Sequence, residues 1–308
     1  MQFTKSVDSH LQMKFLLALL LMTSSALSQE WNPLWPTEAP GAPRPPAGTE
    51  KTGKGLRYSQ IEVPQYTLYQ PEKPSGQCLI VLPGGGYGMV SGENEGTDVA
   101  AWGIAHDITV VVVKYRVGKK ELGYQFPVPL LDARRAIRTA RAHAAEWKID
   151  PKKIGIMGFS AGGHLASMCA TMYDRKFEGE TKDAIDGQSC RPDFQILGYP
   201  VISMGTNYGH GGSQRNLLGQ EVTDEEADKF NTAKLLTKDS PPLYFVHSSD
   251  DRVVPLRNIT DYTARCAELS IPVTGRVFPD GGHGYGIKGR ATSTGWGNHL
   301  ASWMKSNR

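Results

Sequence analysis

The sequence predicts an α/β fold with a doubly wound, mostly parallel sheet and helices on both faces. Three observations predict it. Short apolar runs typical of buried strands alternate along the chain with stretches of helical periodicity. One run, Ile108–Val113, consists entirely of β-branched residues and lacks polar alternation, as in a strand covered on both faces. Charged residues make up 21% and hydrophobic residues 39% of the 308 residues, which is globular usage.

The predicted elements follow one another from residue 79 to the C-terminal end. Strands are predicted at Leu79–Leu82, Ile108–Val113, Ile154–Met157, Phe194–Leu197, Leu243–Val246 and Val273–Phe278. Helices are predicted at roughly Thr97–His106, Leu131–Trp147, Ala161–Met172, Leu256–Leu269 and Leu300–Met304. In the second of these helices, Ala133, Ile137, Ala140 and Ala144 trace one apolar stripe at helical spacing.

Residues 1–28 are predicted to be a cleaved signal peptide. An unbroken apolar run, Phe15–Met22, follows Lys14, and the triplet Ala26–Ser28 suits signal peptidase. The run is too short for a membrane-spanning helix, which needs about 20 apolar residues. Met13 is the alternative initiator, because the residues before it contain no apolar run. We therefore expect a secreted or periplasmic protein without a stable membrane anchor.

The mature chain is predicted to consist of a proline-rich extended lead-in, residues 29–55, and one α/β domain, residues 56–308. Six prolines between Trp31 and Glu50 exclude a helix or a central strand in the lead-in. Trp31 and Trp35 favour docking of this segment on the domain, since exposed indoles on a free tail are unfavourable.

Charge and cysteine content exclude some partners and cofactors. A formal net charge of +3 over 308 residues gives no electrostatic reason to expect nucleic acid. The four cysteines match no zinc pattern, so they either form one or two disulfides or are buried thiols. No metal or organic cofactor is expected.

Glycine-rich segments follow three of the predicted strands, at the edge where open α/β sheets bind ligands. Gly158–Gly162 forms a G-x-S-x-G pattern between a strand and a helix, which lifts the Oγ of Ser160 clear of the sheet. A Cβ at the first or last glycine of this pattern is expected to clash with the neighbouring strand or helix.

A second glycine-rich segment, Gly84–Gly86, follows the first predicted strand. Its amides and the amide of Ala161 are suited to form an oxyanion hole. A phosphate loop is the alternative, but no G-K-[ST] follows these glycines.

His283, in the third glycine-rich segment, is the predicted general base. In a hydrolase with this strand–turn–helix pattern, the serine comes first in the chain, then an acid and then the histidine. His247 is an alternative base, but it precedes the candidate acids. Asp250 and Asp251 both follow a predicted strand, and the local sequence leaves both open as the acid. The histidine takes the Ser160 proton and later returns it to the leaving group.

From about Leu34 to the C-terminal end, the sequence resembles the α/β-hydrolase superfamily, and within it the secreted carbohydrate esterases of the acetylxylan-esterase and bacterial feruloyl-esterase-like group. The motifs that carry the resemblance are L-W-P at 34–36, P-G-G-G-Y at 83–87, G-F-S-A-G-G-H at 158–164, D-x-x-V-P at 251–255 and G-H-G at 282–284. The resemblance implies that Asp251 is the acid and that Gly85 or Gly86 donates to the oxyanion beside Ala161. Pro83 departs from the wider esterase pattern, in which His precedes the glycine triplet.

The resemblance also implies a serine esterase that removes short acyl groups, with acetyl expected, from a plant or algal polysaccharide through an acyl-enzyme. The partner is then an acylated polysaccharide or oligosaccharide. Tyr87, His210 and Trp296 are the expected substrate contacts. The alternatives are a broad carboxylesterase or feruloyl esterase, a serine exopeptidase-like hydrolase, and a carbohydrate-binding protein with an inactive hydrolase fold. The intact set of nucleophile, acid and base argues against the last.

Overall fold

A mostly parallel sheet of eight strands forms the centre of the described part of the chain. The computed structural model of the protein describes residues 30–117, 120–180 and 183–306, and the predicted signal peptide lies outside these ranges. From Trp31 onward the described residues form one compact unit. The strands are β1 (Asn32–Pro33), β2 (Lys51–Gly53), β3 (Arg57–Ser59), β4 (Gln65–Tyr69), β5 (Cys78–Leu82), β6 (Val90–Ser91), β7 (Thr109–Lys114), β8 (Ile154–Phe159), β9 (Gln195–Gly198), β10 (Leu243–Ser248) and β11 (Val273–Phe278).

The strand order across the main sheet is β1-β4-β7-β5-β8-β9-β10-β11. β1 and β4 are antiparallel at one edge, and the six strands from β7 to β11 in this order pair in parallel. All residues of β5, β7 and β8 are buried, as expected for central strands of a parallel sheet. β11 forms the other edge, where Val273 and Val277 remain 37% and 45% exposed. A second, small antiparallel sheet contains β2, β3 and β6.

Helices cover both faces of the main sheet. They are α1 (Asp98–Ile104), α2 (Val128–Ala142), α3 (Ser160–Thr171), α4 (Gly211–Leu218), α5 (Asp224–Asp228), α6 (Thr232–Leu235), α7 (Arg257–Glu268) and α8 (Trp296–Ser306), with short helical turns at Glu93–Thr97, Lys120–Leu122, Ala184–Gly187 and Ala291–Ser293. Side chains of α2, α3 and α7 pack with Ile80 and Leu82 in one core. Side chains of α1 and α8 pack with Leu79 and Val81 in the other. Because successive residues of a strand point to opposite faces, β5 contributes to both cores. The predicted doubly wound arrangement is thereby confirmed.

Several elements differ from the prediction, and three of the differences have a clear physical reason. β4 was not predicted, because its sequence Q-Y-T-L-Y at an antiparallel position has no continuous apolar run. The helix predicted to reach Trp147 ends at Ala142, and the chain then turns so that the indole of Trp147 is buried. α4 lies outside the predicted helices, and it begins at Gly211 because Nδ1 of His210 accepts a hydrogen bond from the Ser213 amide and caps the helix.

All four cysteines, Cys78, Cys169, Cys190 and Cys266, are buried free thiols. The structure therefore contains the thiol alternative rather than the disulfides. Burial raises the pKa of the Cys266 thiol to about 12 and disfavours its reactive thiolate form. Cys78, Cys169 and Cys266 act as small apolar side chains in the packed interior, whereas the thiol of Cys190 accepts a hydrogen bond from Nε of Arg134 and donates one to the carbonyl of Tyr173.

The lead-in is held against the domain by the buried carboxylate of Asp132 in α2. This carboxylate accepts hydrogen bonds from Nε and Nη2 of Arg116, at 2.9 and 2.8 Å, and from the indole N–H of Trp35 at 3.3 Å. Arg116 in turn donates to the carbonyl of Pro40 at 2.8 Å. One buried ion pair therefore fixes two points of the proline-rich segment. The domain boundary at residue 55 stays a prediction.

We predict that Asp132→Ala lowers the free energy of unfolding by about 3–5 kcal/mol, because it leaves the Arg116 guanidinium buried without its countercharge. Glu268→Ala, which removes an exposed ion pair with Arg265, is the control and is expected to cost at most about 1 kcal/mol. Urea unfolding followed by circular dichroism measures both. Equal losses in the two variants would contradict the anchoring role of Asp132.

Candidate active site

Three side chains from separate segments meet at the carboxyl edge of the sheet. Ser160 directly follows β8, Asp251 follows β10 and His283 follows β11. The Nε2 of His283 lies 2.9 Å from the Oγ of Ser160, and its Nδ1 lies 2.7 Å from Oδ2 of Asp251. Ser160 and Asp251 are 91 positions apart in the chain, and Asp251 and His283 are 32 positions apart. The imidazole of His283 connects the other two side chains. This connectivity places the Nδ1 proton on the carboxylate side, so that Nε2 can accept the hydroxyl proton.

Ser160 stands on a tight turn between β8 and α3. Its φ of 53° lies in the left-handed region, which costs conformational energy for a residue with a side chain. Glycines on both sides of it permit the turn. A Cβ on Gly158 would overlap the carbonyl of Gly162, and a Cβ on Gly162 would overlap the carbonyl of Leu82. Close approach of strand and helix, as expected from the sequence, therefore requires both glycines.

The carboxylate that faces His283 belongs to Asp251. Its Oδ1 accepts hydrogen bonds from the amides of Val253 and Val254, each at 2.9 Å, and the carboxyl group is fully buried. Asp250 is exposed and instead accepts a hydrogen bond from the amide of Gly282 at 2.8 Å. The two neighbouring aspartates thus have separate functions: one orients the imidazole, and the other holds the loop on which the imidazole stands.

His247, the alternative base, is buried one residue before the end of β10. Its Nε2 lies 2.9 Å from the carbonyl of Val254, and burial lowers its pKa. It has no hydrogen bond to Ser160 among the described residues. His247 therefore packs behind the acid rather than beside the nucleophile.

The amides of Gly85, Gly86 and Ala161 lie around the serine. Gly85 and Gly86 line the same cavity as Ser160, and Ala161 is in the first turn of α3, where amides have no intrahelical acceptor. None of the described residues accepts a hydrogen bond from these three amides. The carbonyl of Gly86 is held by Nδ2 of Asn216 at 2.8 Å. This arrangement suits the stabilisation of an oxyanion on a carbon attacked by Ser160.

A buried carboxylate that the sequence analysis did not single out connects the glycine-rich loops. Oε2 of Glu95 accepts a hydrogen bond from the amide of Gly84 at 2.7 Å, and its Oε1 accepts one from the hydroxyl of Tyr199 at 2.7 Å. The same hydroxyl accepts a hydrogen bond from the amide of Gly286 at 2.8 Å. Burial raises the pKa of Glu95, against the opposing effect of its hydrogen bonds from Tyr199 and Gly84.

Tyr199 also contacts the imidazole directly. Its ring meets the ring of His283 edge-on, with centroids 4.9 Å apart. The sequence analysis did not single out Tyr199. Because it is the first residue after β9, the rule that sites lie at carboxyl ends of strands could have identified it. Glu95 had no such signal, because it lies in a short helical turn between β6 and α1.

Ser160 and His283 line a cavity of about 980 Å³, and Asp251 lies buried behind the imidazole. The lining of the cavity is mostly glycine, polar and charged side chains, with Met89 and Val253 as apolar members. His210 lines the cavity, and its expected contact with substrate stays a prediction. Burial, together with the neighbouring charges of His283 and Arg215, lowers the pKa of His210, so it faces the cavity as a neutral imidazole.

The other two expected substrate contacts are wrong. Tyr87 is only 2% exposed, and its hydroxyl lies 2.9 Å from Nδ1 of His164. Trp296 is fully buried at the start of α8, where its indole N–H donates to the carbonyl of Gly286 at 2.9 Å. Both aromatic rings are core residues whose single polar group finds a partner inside the protein, so neither can stack on a sugar.

Among residues 30–117, 120–180 and 183–306, no three His, Cys, Asp or Glu side chains come together in a way that could hold a metal ion. In the same ranges, no helix is long and apolar enough to cross a membrane.

The family model of BD-FAE matches residues 66–264 of this chain. The chain belongs to the BD-FAE family. It is 32% identical to an acetylxylan esterase of Xylanibacter ruminicola over 79% of its own length and 48% of the relative. It is 36% identical to the endo-1,4-beta-xylanase B of Butyrivibrio fibrisolvens over 71% of its length and 34% of that relative. This BD-FAE chain thus spans less than half of the length of each of these two curated relatives.

Solved structures confirm the fold of this BD-FAE chain. An acetyl ester-xyloside bifunctional hydrolase from Caldicellulosiruptor lactoaceticus superposes with a TM-score of 0.75 at 32% identity, over 91% of this chain and 96% of that one. The α/β hydrolase MGS-M1 from a deep-sea metagenome superposes with a TM-score of 0.57 at 24% identity, over 79% and 92% of the two chains. The expected α/β-hydrolase fold and the resemblance to carbohydrate esterases are therefore confirmed.

We predict that Glu95→Gln slows the labelling of Ser160 by a fluorophosphonate about tenfold or more. The amide cannot accept from both the Gly84 amide and the Tyr199 hydroxyl while keeping its own protons paired, and a hydrogen bond to a charged group contributes about 1.5–3 kcal/mol. The measurement is the second-order labelling rate, corrected for the folded fraction.

The matched control is Glu180→Gln, which removes a buried carboxylate that pairs with Arg134 and Arg138 in another part of the molecule. This control is expected to lower stability and to leave the labelling rate of the folded protein unchanged. If both variants label at the wild-type rate, Glu95 supports only the fold and does not position the site.

His164, four residues after Ser160, makes the stability of the site dependent on pH. Burial lowers the pKa of His164 to about 4, against the opposing effect of the Phe230 carbonyl at 2.8 Å from its Nε2. His164 therefore becomes protonated near pH 6.5 in the unfolded chain, but only near pH 4 in the folded chain. Stability from this group is complete above the unfolded pKa and falls as the pH drops through this window.

We predict that the wild-type protein loses about 2–3 kcal/mol of unfolding free energy between pH 7.5 and 4.5 through His164. His164→Gln removes the titrating group, so its stability should fall less over the same range, from a lower starting value. His143→Gln, a change at an exposed imidazole, is the control. Parallel pH profiles for wild type and His164→Gln, measured by urea unfolding, would exclude this assignment.

Proposed function

We propose that this chain is a serine esterase that hydrolyses acetyl or other short acyl esters on a carbohydrate. The observation that carries the proposal is the hydrogen-bonded series Ser160–His283–Asp251, open to a cavity and flanked by unpaired amides. A serine next to a base, with the base oriented by a carboxylate, is the arrangement needed for nucleophilic acyl transfer.

In the proposed reaction, His283 removes the proton of Ser160 as the Oγ attacks the ester carbonyl carbon. The negative charge that develops on the carbonyl oxygen is stabilised by the amides of Ala161 and of Gly85 or Gly86. Collapse of the tetrahedral intermediate breaks the bond to the sugar oxygen, which leaves with the proton from His283. Water, activated by the same imidazole, then attacks the acyl-enzyme and releases the carboxylic acid.

Asp251 keeps the imidazole in the orientation that both halves of this cycle require. When His283 becomes cationic, the buried carboxylate beside Nδ1 stabilises the charge at 2.7 Å. The two valine amides on Oδ1 fix the carboxylate itself, so its second oxygen remains directed at the imidazole. The geometry supports a proton transfer that needs no rearrangement of the acid.

The character of the cavity supports a small acyl group and a sugar alcohol. Its walls offer hydrogen-bonding groups such as Asn94 and Asn216, and no Phe, Tyr or Trp is among its lining residues in the described part of the chain. An aromatic feruloyl group favours an apolar slot, whereas acetyl needs little space beside the glycines. The relatives named as an acetylxylan esterase and an acetyl ester-xyloside hydrolase support the same substrate class.

The proposed location is the cell exterior or the periplasm. It rests on the predicted signal peptide, residues 1–28, which lies outside the described residues. An acylated polysaccharide is a polymer met outside the cytoplasm, so substrate and location agree. Four buried thiols are compatible with such a compartment because burial keeps them from reacting.

We predict that Ser160→Ala lowers kcat for p-nitrophenyl acetate by at least about 10⁴-fold, because water must then attack without a covalent step. Ser302→Ala, a change at an exposed hydroxyl of α8, is the control and should keep the wild-type rate. Release of p-nitrophenol and mass-spectrometric detection of an acyl adduct provide the readouts. Full activity of Ser160→Ala would overturn the proposal.

Substrate class is tested with two matched oligosaccharide sets, one acetylated and one feruloylated. Acetate release by wild type at a kcat/KM well above that for ferulate release is the expected result. A preference for ferulate would contradict the argument from the polar cavity while leaving the esterase mechanism intact.

A further inference from the structure

Three cationic side chains line the cavity that contains the serine and the histidine. Lys54 and Arg57 belong to the turn and strand that follow β2, and Arg290 lies in the segment after His283. All three are exposed. Within the described ranges, none of the three has a carboxylate at ion-pair distance. We refer to these three residues as the cationic rim.

The backbone under the cationic rim is held in place. The turn after β2 is fixed to the segment that carries Glu95: the amide of Gly92 donates to the carbonyl of Leu56 at 3.0 Å. β3 also pairs with β6. On the other segment, the amide of Arg290 donates to Oγ of Ser293 at 2.8 Å, and its carbonyl accepts from the Ser293 amide at 3.0 Å. The positive charges are therefore presented by ordered loops.

Few negative charges in the cavity offset the cationic rim. The carboxylates that line it are those of Glu93 and Glu95. Glu95 is buried and already engaged by Gly84 and Tyr199, which leaves Glu93 as the exposed carboxylate. The mouth of the cavity is thus positive, although the whole chain carries a formal charge of only +3. Positive charge is therefore concentrated at the mouth of the cavity, although the net charge of the chain is close to zero.

We propose that the cationic rim binds anionic groups of the polysaccharide, so that the preferred substrate is an acidic, acylated glycan that carries carboxylates or sulfates close to the ester. The proposal rests on the esterase function proposed above. Guanidinium groups match carboxylate and sulfate oxygens with paired hydrogen bonds, which a neutral sugar hydroxyl cannot offer with equal strength. Cations at the mouth also attract a polyanion from a distance that depends on salt.

Binding is tested with the Ser160→Ala variant, which separates recognition from hydrolysis. Calorimetric titration compares three oligosaccharides of equal length: a neutral xylo-oligosaccharide, one that carries a uronic acid, and one that carries a sulfate. At low ionic strength we expect at least one acidic ligand to bind about tenfold more tightly than the neutral one, since each exposed ion pair contributes a factor of about two to five. We expect 0.5 M NaCl to remove most of this difference.

The decisive variant replaces the cationic rim, as Lys54→Gln, Arg57→Gln and Arg290→Gln together in the Ser160→Ala background. We expect it to lose the preference for the acidic ligand and to bind the neutral ligand as before. The matched control replaces three exposed lysines that precede β5, β8 and β10, at the opposite edge of the sheet: Lys73→Gln, Lys152→Gln and Lys238→Gln. This control should keep the preference.

Equal affinity of the Ser160→Ala protein for neutral and acidic ligands would overturn the proposal, as would an equal loss in the control. The two ligands distinguish a carboxylate from a sulfate as the recognised group. Failure of the esterase proposal has a different signature: enzyme with Ser160 intact would leave p-nitrophenyl acetate unhydrolysed, whatever the titrations show. Single substitutions with normal urea unfolding curves keep the test valid if the triple variant folds poorly.

Discussion

The carboxylate of Glu95 links the loops that form the site. It has almost no exposure to water, and its two oxygens accept hydrogen bonds from different parts of the fold. The donors are the amide of Gly84, the first residue of the glycine triplet, and the phenol of Tyr199. That phenol in turn holds the amide of Gly286, three residues after the histidine. A buried charge is unfavourable unless it is fully hydrogen-bonded. The carboxylate of Glu95 therefore needs both donors, the Gly84 amide and the Tyr199 hydroxyl, and it holds together the two segments that carry them. The distance between the amides of the glycine-rich loop and the imidazole of His283 is thereby set by hydrogen bonds in the protein interior.

The carboxylate of Asp251 is also held by backbone amides, and it lies in direct contact with the imidazole of His283. Two amides bind one oxygen and the imidazole binds the other, so the carboxylate has no freedom to turn away. Glu95 acts one layer farther out, through a phenol whose ring also packs against the imidazole. Together these two carboxylates fix the position of His283 from two directions. Ser160 itself needs less support, because its place is determined by a strained turn between a strand and a helix.

The sequence predicted the parts of the site that depend on local patterns. Ser160 could be found because its glycines, strand and helix are neighbours in the chain, and His283 because a glycine-rich loop follows a strand. Choosing Asp251 over Asp250 needed the resemblance, since adjacent loop residues differ only in their tertiary surroundings. Glu95 could not be found, because its hydrogen-bond partners lie 11 and 104 residues away. Tyr87 and Trp296 were misassigned for the same reason: nothing local tells whether an aromatic ring faces a cavity or the core. The parallel strands were predicted well because burial on both faces leaves an apolar run, whereas the half-buried β4 leaves none.

The position of β11 at the edge of the sheet has a consequence for the order in which the molecule unfolds. This strand pairs on one side only and leaves Val273 and Val277 partly in water, whereas β8, which leads to the serine, lies between β5 and β9. Edge segments with few buried contacts open at lower free energy than central ones. We therefore expect hydrogen exchange to report faster opening at the segment that carries His283 than at β8. With rising denaturant, we expect His283 to separate from Ser160 while the central strands and both cores are still intact.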